Sequence, residues 1–240
     1  MIERGSGVAV WRQIENSLAE EIACGQLQAG EQLPTELQLA ERFRVNRHTI
    51  RRAVATLVER GLLRVEQGRG TFVQDNAIDY AISKRTRFSR NMARQNLSSD
   101  IDVVASDSLA ANAELAALLE VKVGELLFRI KTLSRVENRV VDYATMFFPA
   151  ARFPDLPAIY QQQRSVTLTL QHFGIQDYTR RFTRVTARLP DSEVVDYLGI
   201  PKNRPVLHVK SLNVDPDGRP VQYGITCFNG DLVQLVMEDQ

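Results

Sequence analysis

Residues 33–73 read LPTELQLAERFRVNRHTIRRAVATLVERGLLRVEQGRGTFV, and almost every position in them has a structural assignment. Thr35 opens a helix with a capping box, because its hydroxyl can accept from a first-turn amide while Gln38, three residues on, reaches back to the cap. Leu39, Ala40 and Phe43 then recur at helical spacing. After the turn at Arg44-Val45, Asn46 caps a second helix. Its apolar residues Ile50, Ala53, Val54, Leu57 and Val58 define one side, and Arg47, His48, Arg51 and Arg52 occupy the others. Gly61 ends it. Leu62 to Val65 and Thr71 to Val73 read as short strands around Glu66-Gln67-Gly68-Arg69-Gly70, a hairpin whose glycines permit a tight reversal. Two helices, a short turn and a glycine-cornered hairpin make a winged helix-turn-helix.

Such a head offers the N-terminal end of its second helix to base edges in a major groove, so Arg47, Arg51 and Arg52 stand where readout needs cations. The hairpin, with Arg69 at its tip, is shaped to approach a phosphate or a minor-groove wall. Charge counting agrees. Residues 42–70 hold eight Arg against Glu59 and Glu66, whereas residues 1–41 hold two Arg against seven Glu. The formal net charge of +1 hides this local basic face, which is the electrostatic footprint of a nucleic-acid binder.

Leu33-Pro34-Thr35-Glu36, Leu39-Ala40, Arg47, Thr49, Arg51, Leu57, Gly61-Leu62-Leu63 and Gln67 to Val73 resemble the N-terminal domain of GntR-superfamily repressors. The resemblance implies that Arg47, Thr49 and Arg51 contact bases and phosphates in the major groove, with Gln67 and Gly68 entering the minor groove. Thr35, Glu36, Asn46, Arg52, Arg69 and Gly70 complete the expected DNA surface. His48 belongs to it as well, with a phosphate contact and a packing role both open. Leu37 stands where the family usually has Arg.

At 240 residues and 44% hydrophobic, the chain has room for a head over residues 1–75 and one further domain. No apolar run approaches the roughly 20 residues of a membrane span, and no basic-then-apolar leader opens the chain, so a cytoplasmic protein is expected. Cys24 and Cys227 read as free thiols. Helix Val10 to Ala23, with Ile14, Leu18 and Ile22 on one face, should pack on the head, and Trp11 reads as core, with a domain or DNA-backbone contact as the alternative.

Residues 76–84 read as a linker and residues 85–240 as an effector-binding and dimerisation domain. Thr86 to Asn91 look like a hydroxyl-bearing helix start inside the run Lys84, Arg85, Arg87, Arg90 and Arg94. That run is either a solvated face or an oxyanion site. A short helix over 112–119 precedes strands over 126–136 and 140–148. A helix over 166–173, a strand over 182–189, a helix capped by Asp191 and a final hairpin about Asp215-Pro216-Asp217-Gly218 follow. The pattern predicts an α+β domain on an antiparallel sheet.

This half resembles the effector domain of the HutC subfamily of GntR regulators. That implies a chorismate-lyase-like (UTRA) fold, and Asn46-Arg47-His48-Thr49 with Arg87 to Asn91 and Thr183 to Arg188 point to the subfamily's phosphonate-metabolism repressors. Gly224 and Asn229 depart from the subfamily pattern. Arg87, Ser89, Arg90, Arg129, Lys131, Arg184 and Arg188 are expected to gather around a small anionic effector, a phosphonate or phosphate ester. Phe88 belongs to the same expected site, and Tyr143 and Tyr223 either orient its organic part through their hydroxyls or pack in the core. His172 and His208 lack a companion nucleophile or carboxylate at motif spacing, and no phosphate-loop or metal signature is present, so neither an enzyme nor a cofactor is expected. The expected partners are inverted-repeat operator DNA, the effector and a second copy of the chain, since one winged helix reads only a few base pairs.

Overall fold

The computed structural model describes residues 8–74 and 77–237. The chain divides into two compact units, Met1–Asn76 and Ala77–Gln240. The first contains α1 (Val10–Ala23), α2 (Glu36–Phe43), α3 (Arg47–Glu59), β1 (Leu63–Glu66) and β2 (Gly70–Val73). Ile14 and Leu18 of α1 meet Leu39, Ile50, Leu57 and Leu63 in one apolar core. Both expected caps form. Thr35 Oγ1 accepts from the Gln38 N–H while the Thr35 N–H donates to Gln38 Oε1, and Asn46 Oδ1 accepts from the Thr49 N–H. Each such cap stabilises its helix by about 1 kcal/mol. Arg44 supplies the left-handed residue that turns the chain between α2 and α3.

β1 and β2 pair antiparallel, with Glu66 opposite Gly70. Gly70 has φ +121°, and a Cβ there would fall 2.7 Å from Gln32 Nε2. That amide donates to Arg69 O at 2.8 Å, so the glycine leaves room for the side chain that braces the wing.

The second unit begins with a correction. Ile78–Ala81, inside the stretch read as linker, forms β3, which pairs in parallel with β10 (Val233–Val236). Ile78 and Tyr80 are buried, which anchors the strand to this unit's core. The expected domain ranges also took in residues 1–7, 75, 76 and 238–240, which lie outside the described residues.

Between these strands come α4 (Phe88–Arg94), β4 (Ser99–Ala110), α5 (Ala113–Leu119), β5 (Leu126–Val136), β6 (Arg139–Pro149), α6 (Leu156–Gln163) and α7 (Val166–His172). β7 (Thr179–Arg188), α8 (Ser192–Leu198), β8 (Val206–Val214) and β9 (Pro220–Asn229) complete the unit. Six strands form one antiparallel sheet in the order β4-β5-β6-β9-β8-β7. The predicted α+β class is therefore correct. β3, β4, α6 and β10 were not expected.

Both faces of the sheet are covered. On one, Ile130, Met146 and Phe148 pack against Leu156 and Tyr160 of α6 and Leu170 of α7, while Val209 and Phe228 meet Tyr80 of β3, Met92 of α4 and Val233 of β10. On the other, Leu127, Phe147, Leu212 and Tyr223 pack under α5, and Leu133, Tyr143 and Cys227 pack under α8. Among the described residues no helix is long and apolar enough to cross a membrane.

α4 holds β3 by its side chains. Asn91 Oδ1 accepts from the Ala81 N–H and its Nδ2 donates to Ala81 O, both at 3.1 Å. Gln95 repeats this pattern on the backbone of Asp79. Two side-chain amides thus satisfy backbone groups that a neighbouring strand would otherwise pair.

Asp142 of β6 is buried, with Ser134 Oγ donating to its Oδ1 at 3.0 Å. Burial pushes its carboxyl up to about 7, against the lowering from Ser134. A folded-state pKa above the unfolded value of about 3.9 favours the protonated group, so its contribution to stability is full below pH ~4 and is lost as pH rises through about 7. Asp142→Asn keeps the shape and cannot ionise. The wild-type melting temperature minus that of Asp142→Asn should therefore fall between pH 5 and 8, as read by thermal denaturation. A difference that does not change with pH would assign Asp142 an ordinary carboxyl.

Candidate nucleic-acid interface and ligand cavity

The first unit presents the expected DNA-facing residues at its surface. Arg47 and His48 lie exposed in the first turn of α3 and Arg51 in the next, while Gln67, Gly68, Arg69 and Gly70 form the exposed wing tip. Several are already engaged. Arg51 makes a two-pronged pair with Glu36, Nε to Oε1 at 3.1 Å and Nη2 to Oε2 at 2.9 Å, and this holds the Glu36 carboxyl below its usual range. Arg69 pairs with Glu66 at 2.5 Å. Thr49 donates to Asn46, and Thr35 is engaged in its capping box, so these three polar groups shape the helix starts.

Arg52 lies over the Trp11 ring at 4.4 Å, so this cation packs on α1. Trp11 itself is half-buried at the edge of the core.

The second unit holds a cavity of about 790 Å³ on the sheet face beneath α6 and α7. That is within the usual range for small-molecule sites. Its wall includes Arg87, Phe88, Ser89 and Arg90, as the sequence suggested. The expected hydroxyl-capped helix start does not form: α4 begins at Phe88 with no side-chain cap, and the Thr86 hydroxyl is used by Ser83, accepting from its N–H and donating to its carbonyl. Arg87 is largely buried. It lies 3.4 Å over the Tyr178 ring, with Nη2 donating to Tyr178 O at 2.6 Å and to Asp177 at 3.3 Å. Burial draws its guanidinium down from the usual value, opposed by Tyr178 and Asp177.

The other six expected effector residues do not reach this cavity. Arg129 pairs with Asp107, Lys131 with Glu193 at 2.5 Å, and Tyr143 donates to Glu193 while stacking on Tyr197. Tyr223 stacks on Phe147 under α5, Arg184 lies over Phe182, and Arg188 borders Cys227. All six belong to the opposite face of the sheet. The cause is the two-residue period of a strand: Thr132 and Ser134 line the cavity, so Arg129, Lys131 and Leu133 must point away from it. The predicted gathering of six cations and Ser89 is thereby corrected to Arg87, Ser89 and Arg90.

Sequence reasoning missed the residues that do converge. Arg180 of β7 lines the cavity, and its Nε is buried without a hydrogen bond. Asp142 and Ser134 face it from β6 and β5, Ser211 and Asn213 from β8, and Gln222, Gly224 and Thr226 from β9. The available signal was small polar residues at alternate positions in four strands. Tyr160 and Tyr178 close the cavity under α6 and α7, both hydroxyls raised by burial, with Tyr178 bonded to Thr167 at 3.0 Å.

Comparison with known proteins places this geometry in a family. The bacterial regulatory protein gntR family matches residues 11–73, and the UTRA domain matches residues 94–234. An uncharacterised helix-turn-helix-type transcriptional regulator of Rhizobium meliloti is 37% identical over 99% of this chain and 98% of its own length. The probable transcriptional regulator PhnF of Escherichia coli is 31% identical over 94% of this chain and 92% of its own. The crystal structure of PhnF from Mycobacterium smegmatis superposes with a TM-score of 0.67 at 24% identity, covering 97% of this chain and 99% of that one. A basic winged head joined to a UTRA unit, with relatives aligned almost end to end, identifies the chain as a member of the GntR family of bacterial regulatory proteins: a transcriptional regulator and not an enzyme.

Proposed function

We propose that the chain is an effector-controlled repressor that binds an inverted-repeat operator as a homodimer and answers to a small organophosphorus anion. The observation that carries this reading is the division of labour within one chain. One unit exposes Arg47, Arg51 and the wing, and the other encloses a cavity where Arg87 and the unpartnered Arg180 Nε meet a polar sheet face. Two relatives bear the word repressor in their names, the mannosyl-D-glycerate transport/metabolism repressor MngR of Escherichia coli and NagR of Bacillus subtilis, and this supports negative control here. The resemblance to phosphonate-metabolism repressors favours genes of phosphonate uptake or breakdown as the target. Footprinting the bound promoter tests that assignment, and protection of a promoter serving unrelated genes would reject it.

In this reading α3 enters the major groove with Arg47 on a base edge, and the wing approaches the flanking backbone. Arg47→Ala should lose about 1 to 3 kcal/mol on the specific site and relax preference at one base pair. Arg69→Ala should weaken specific and random DNA more nearly alike. Competition binding with both DNAs distinguishes the two, and an equal loss for Arg47→Ala would make it a phosphate contact.

Two heads on a palindrome are needed because single-head specificity is small against the genomic excess of random sites. The full chain should therefore sediment as a dimer, and protection should fall on two half-sites related by a dyad. Full operator affinity from a monomer would end this part of the reading.

Effector occupancy reaches the head through α4. Its first residues line the cavity, and Asn91 and Gln95 grip β3, the first element of the second unit after the chain leaves the head. Among methylphosphonate, 2-aminoethylphosphonate, phosphate esters and inorganic phosphate, an effector should raise the melting temperature and change operator affinity. In Asn91→Ala the melting shift should persist while the change in operator affinity shrinks. A full operator response in that variant would route the signal elsewhere.

A further inference from the structure

The second unit also has a basic groove at its surface. Residues 80–99 carry Lys84, Arg85, Arg87, Arg90 and Arg94 and no Asp or Glu. The fold gathers all five cations around a groove of about 620 Å³ whose wall contains no carboxylate. Arg85 and Arg87 are neutralised from outside it, since both bond Asp177. Lys84, Arg90 and Arg94 are exposed, and among the described residues none of these three side chains has an ion pair or a hydrogen bond.

Other cations of this unit are treated differently. Arg129 pairs with Asp107, Lys131 with Glu193, Arg135 with Asp102 and Arg152 with Asp215. An unpaired trio carries a cost: Arg90 and Arg94 stand four residues apart on α4, where like charges on adjacent turns oppose a helix that has only seven residues and no side-chain cap. The backbone that bears the trio is nevertheless held firmly. Lys84 O accepts from the Arg180 N–H at 2.8 Å, and Thr86 Oγ1 accepts from the Ser83 N–H and donates to Ser83 O, each at 2.8 Å. On α4, Met92 is buried and Asn91 bonds both backbone groups of Ala81, which leaves Arg90 and Arg94 on the exposed side. Positive charge that is fixed in place, solvent-facing and uncompensated attracts a polyanion.

We propose that this groove takes the phosphate backbone of DNA flanking the operator, so that the second unit adds sequence-independent contacts to those of the head. DNA is the polyanion that a regulator of this family already binds through its head. Residues 74–83 are all that separates the wing from Lys84, and a chain of that length extends to about 40 Å at most, so flanking duplex is within its reach. Arg90 and Arg94 lie one helical turn apart, about 5 to 6 Å between their Cβ atoms. A strand of DNA offers each of them its own phosphate. Such contacts position the protein and carry no base information, so they strengthen operator and random DNA alike and weaken as salt rises.

The test follows binding of the full chain to duplex DNA by fluorescence anisotropy between about 50 and 200 mM salt. Each phosphate contact removed lowers the slope of log affinity against log salt by about 0.9. Lys84→Ala/Arg94→Ala should therefore lower it by about 1.8 per bound chain, and its affinity should change about tenfold less than the wild type's across that salt range. Arg90 is left in place because it also borders the larger cavity. The loss should be equal on operator and random DNA, should be halved in either single variant, and should vanish on a duplex trimmed to the head's own footprint. Lys84→Arg/Arg94→Lys, which exchanges the cations, should keep the wild-type slope. Lys202→Ala, which removes an exposed cation of the same unit outside the groove, should also keep it. An unchanged slope in the double alanine variant would overturn the proposal and leave the groove a solvated face. An equal loss in Lys202→Ala would overturn it in favour of an effect of net charge. Calorimetric binding of pyrophosphate or ATP that the alanine variant loses, with its DNA slope unchanged, would overturn it in favour of a small polyanion.

Discussion

The two-residue period of the β-strand, imposed on a sheet covered on both faces, is the constraint on which the second unit depends. Every residue of β5, β6, β8 and β9 must serve either the α5/α8 side or the α6/α7 side, and a shift of one residue would exchange the two sets. The α5/α8 side carries large apolar and aromatic groups packed under those helices, with Arg129, Lys131, Arg184 and Arg188 beside them. The α6/α7 side is divided along its length. Where Ile130, Met146 and Phe148 meet α6 and α7 it is a core, and where Ser134, Asp142, Asn213 and Gln222 lie it remains open as a cavity. Burying polar groups at that density costs stability unless they are paired, and the Ser134–Asp142 and Asn213–Gln222 bonds offset most of the cost.

The sheet also determines how α4 is used. With seven residues and no side-chain cap, α4 has little intrinsic stability as a helix. It is held by tertiary contacts: Met92 is buried in the core with Tyr80 and Phe228, and Asn91 and Gln95 bond the edge of β3. A short helix held only through neighbours moves with them. Its first turn lines the cavity and its middle grips β3.

Elements whose signals are local were legible in the sequence. The Thr35 capping box, the Asn46 and Asp191 caps, the wing glycines and the Asp215–Gly218 turn each depend on residues within a few positions of one another. What escaped were features decided by distant partners. β3 and β10 are four residues each and pair across some 150 positions, so neither has the length to announce itself alone. β4 is an edge strand with half-exposed and exposed residues along most of its length, and its alternation is correspondingly faint. For the site, the sequence separated Arg129 and Lys131 from Phe128 and Ile130 correctly, but period alone cannot say which face holds a cavity. Charge marks the face with Arg129 and Lys131, whereas the cavity face carries the uncharged Thr132, Ser134, Ser211 and Asn213.

The reading head shows why cationic residues that already have partners remain available. The Arg51–Glu36 pair is well formed but exposed, and such pairs contribute at most about 1 kcal/mol. In the proposed reading a bidentate contact from Arg51 to a guanine edge, which discriminates by about 1 to 3 kcal/mol against the wrong base, would take the place of the Glu36 pair. The carboxylate holds the guanidinium in one geometry, which would limit the side-chain entropy lost on binding. Arg52, stacked over Trp11, is the contrasting case: its cation joins α3 to α1, and leaving that ring would loosen the packing that orients the reading helix. Two adjacent arginines on one helix are thus separated in role by what lies opposite each, a replaceable carboxylate for Arg51 and a structural aromatic for Arg52.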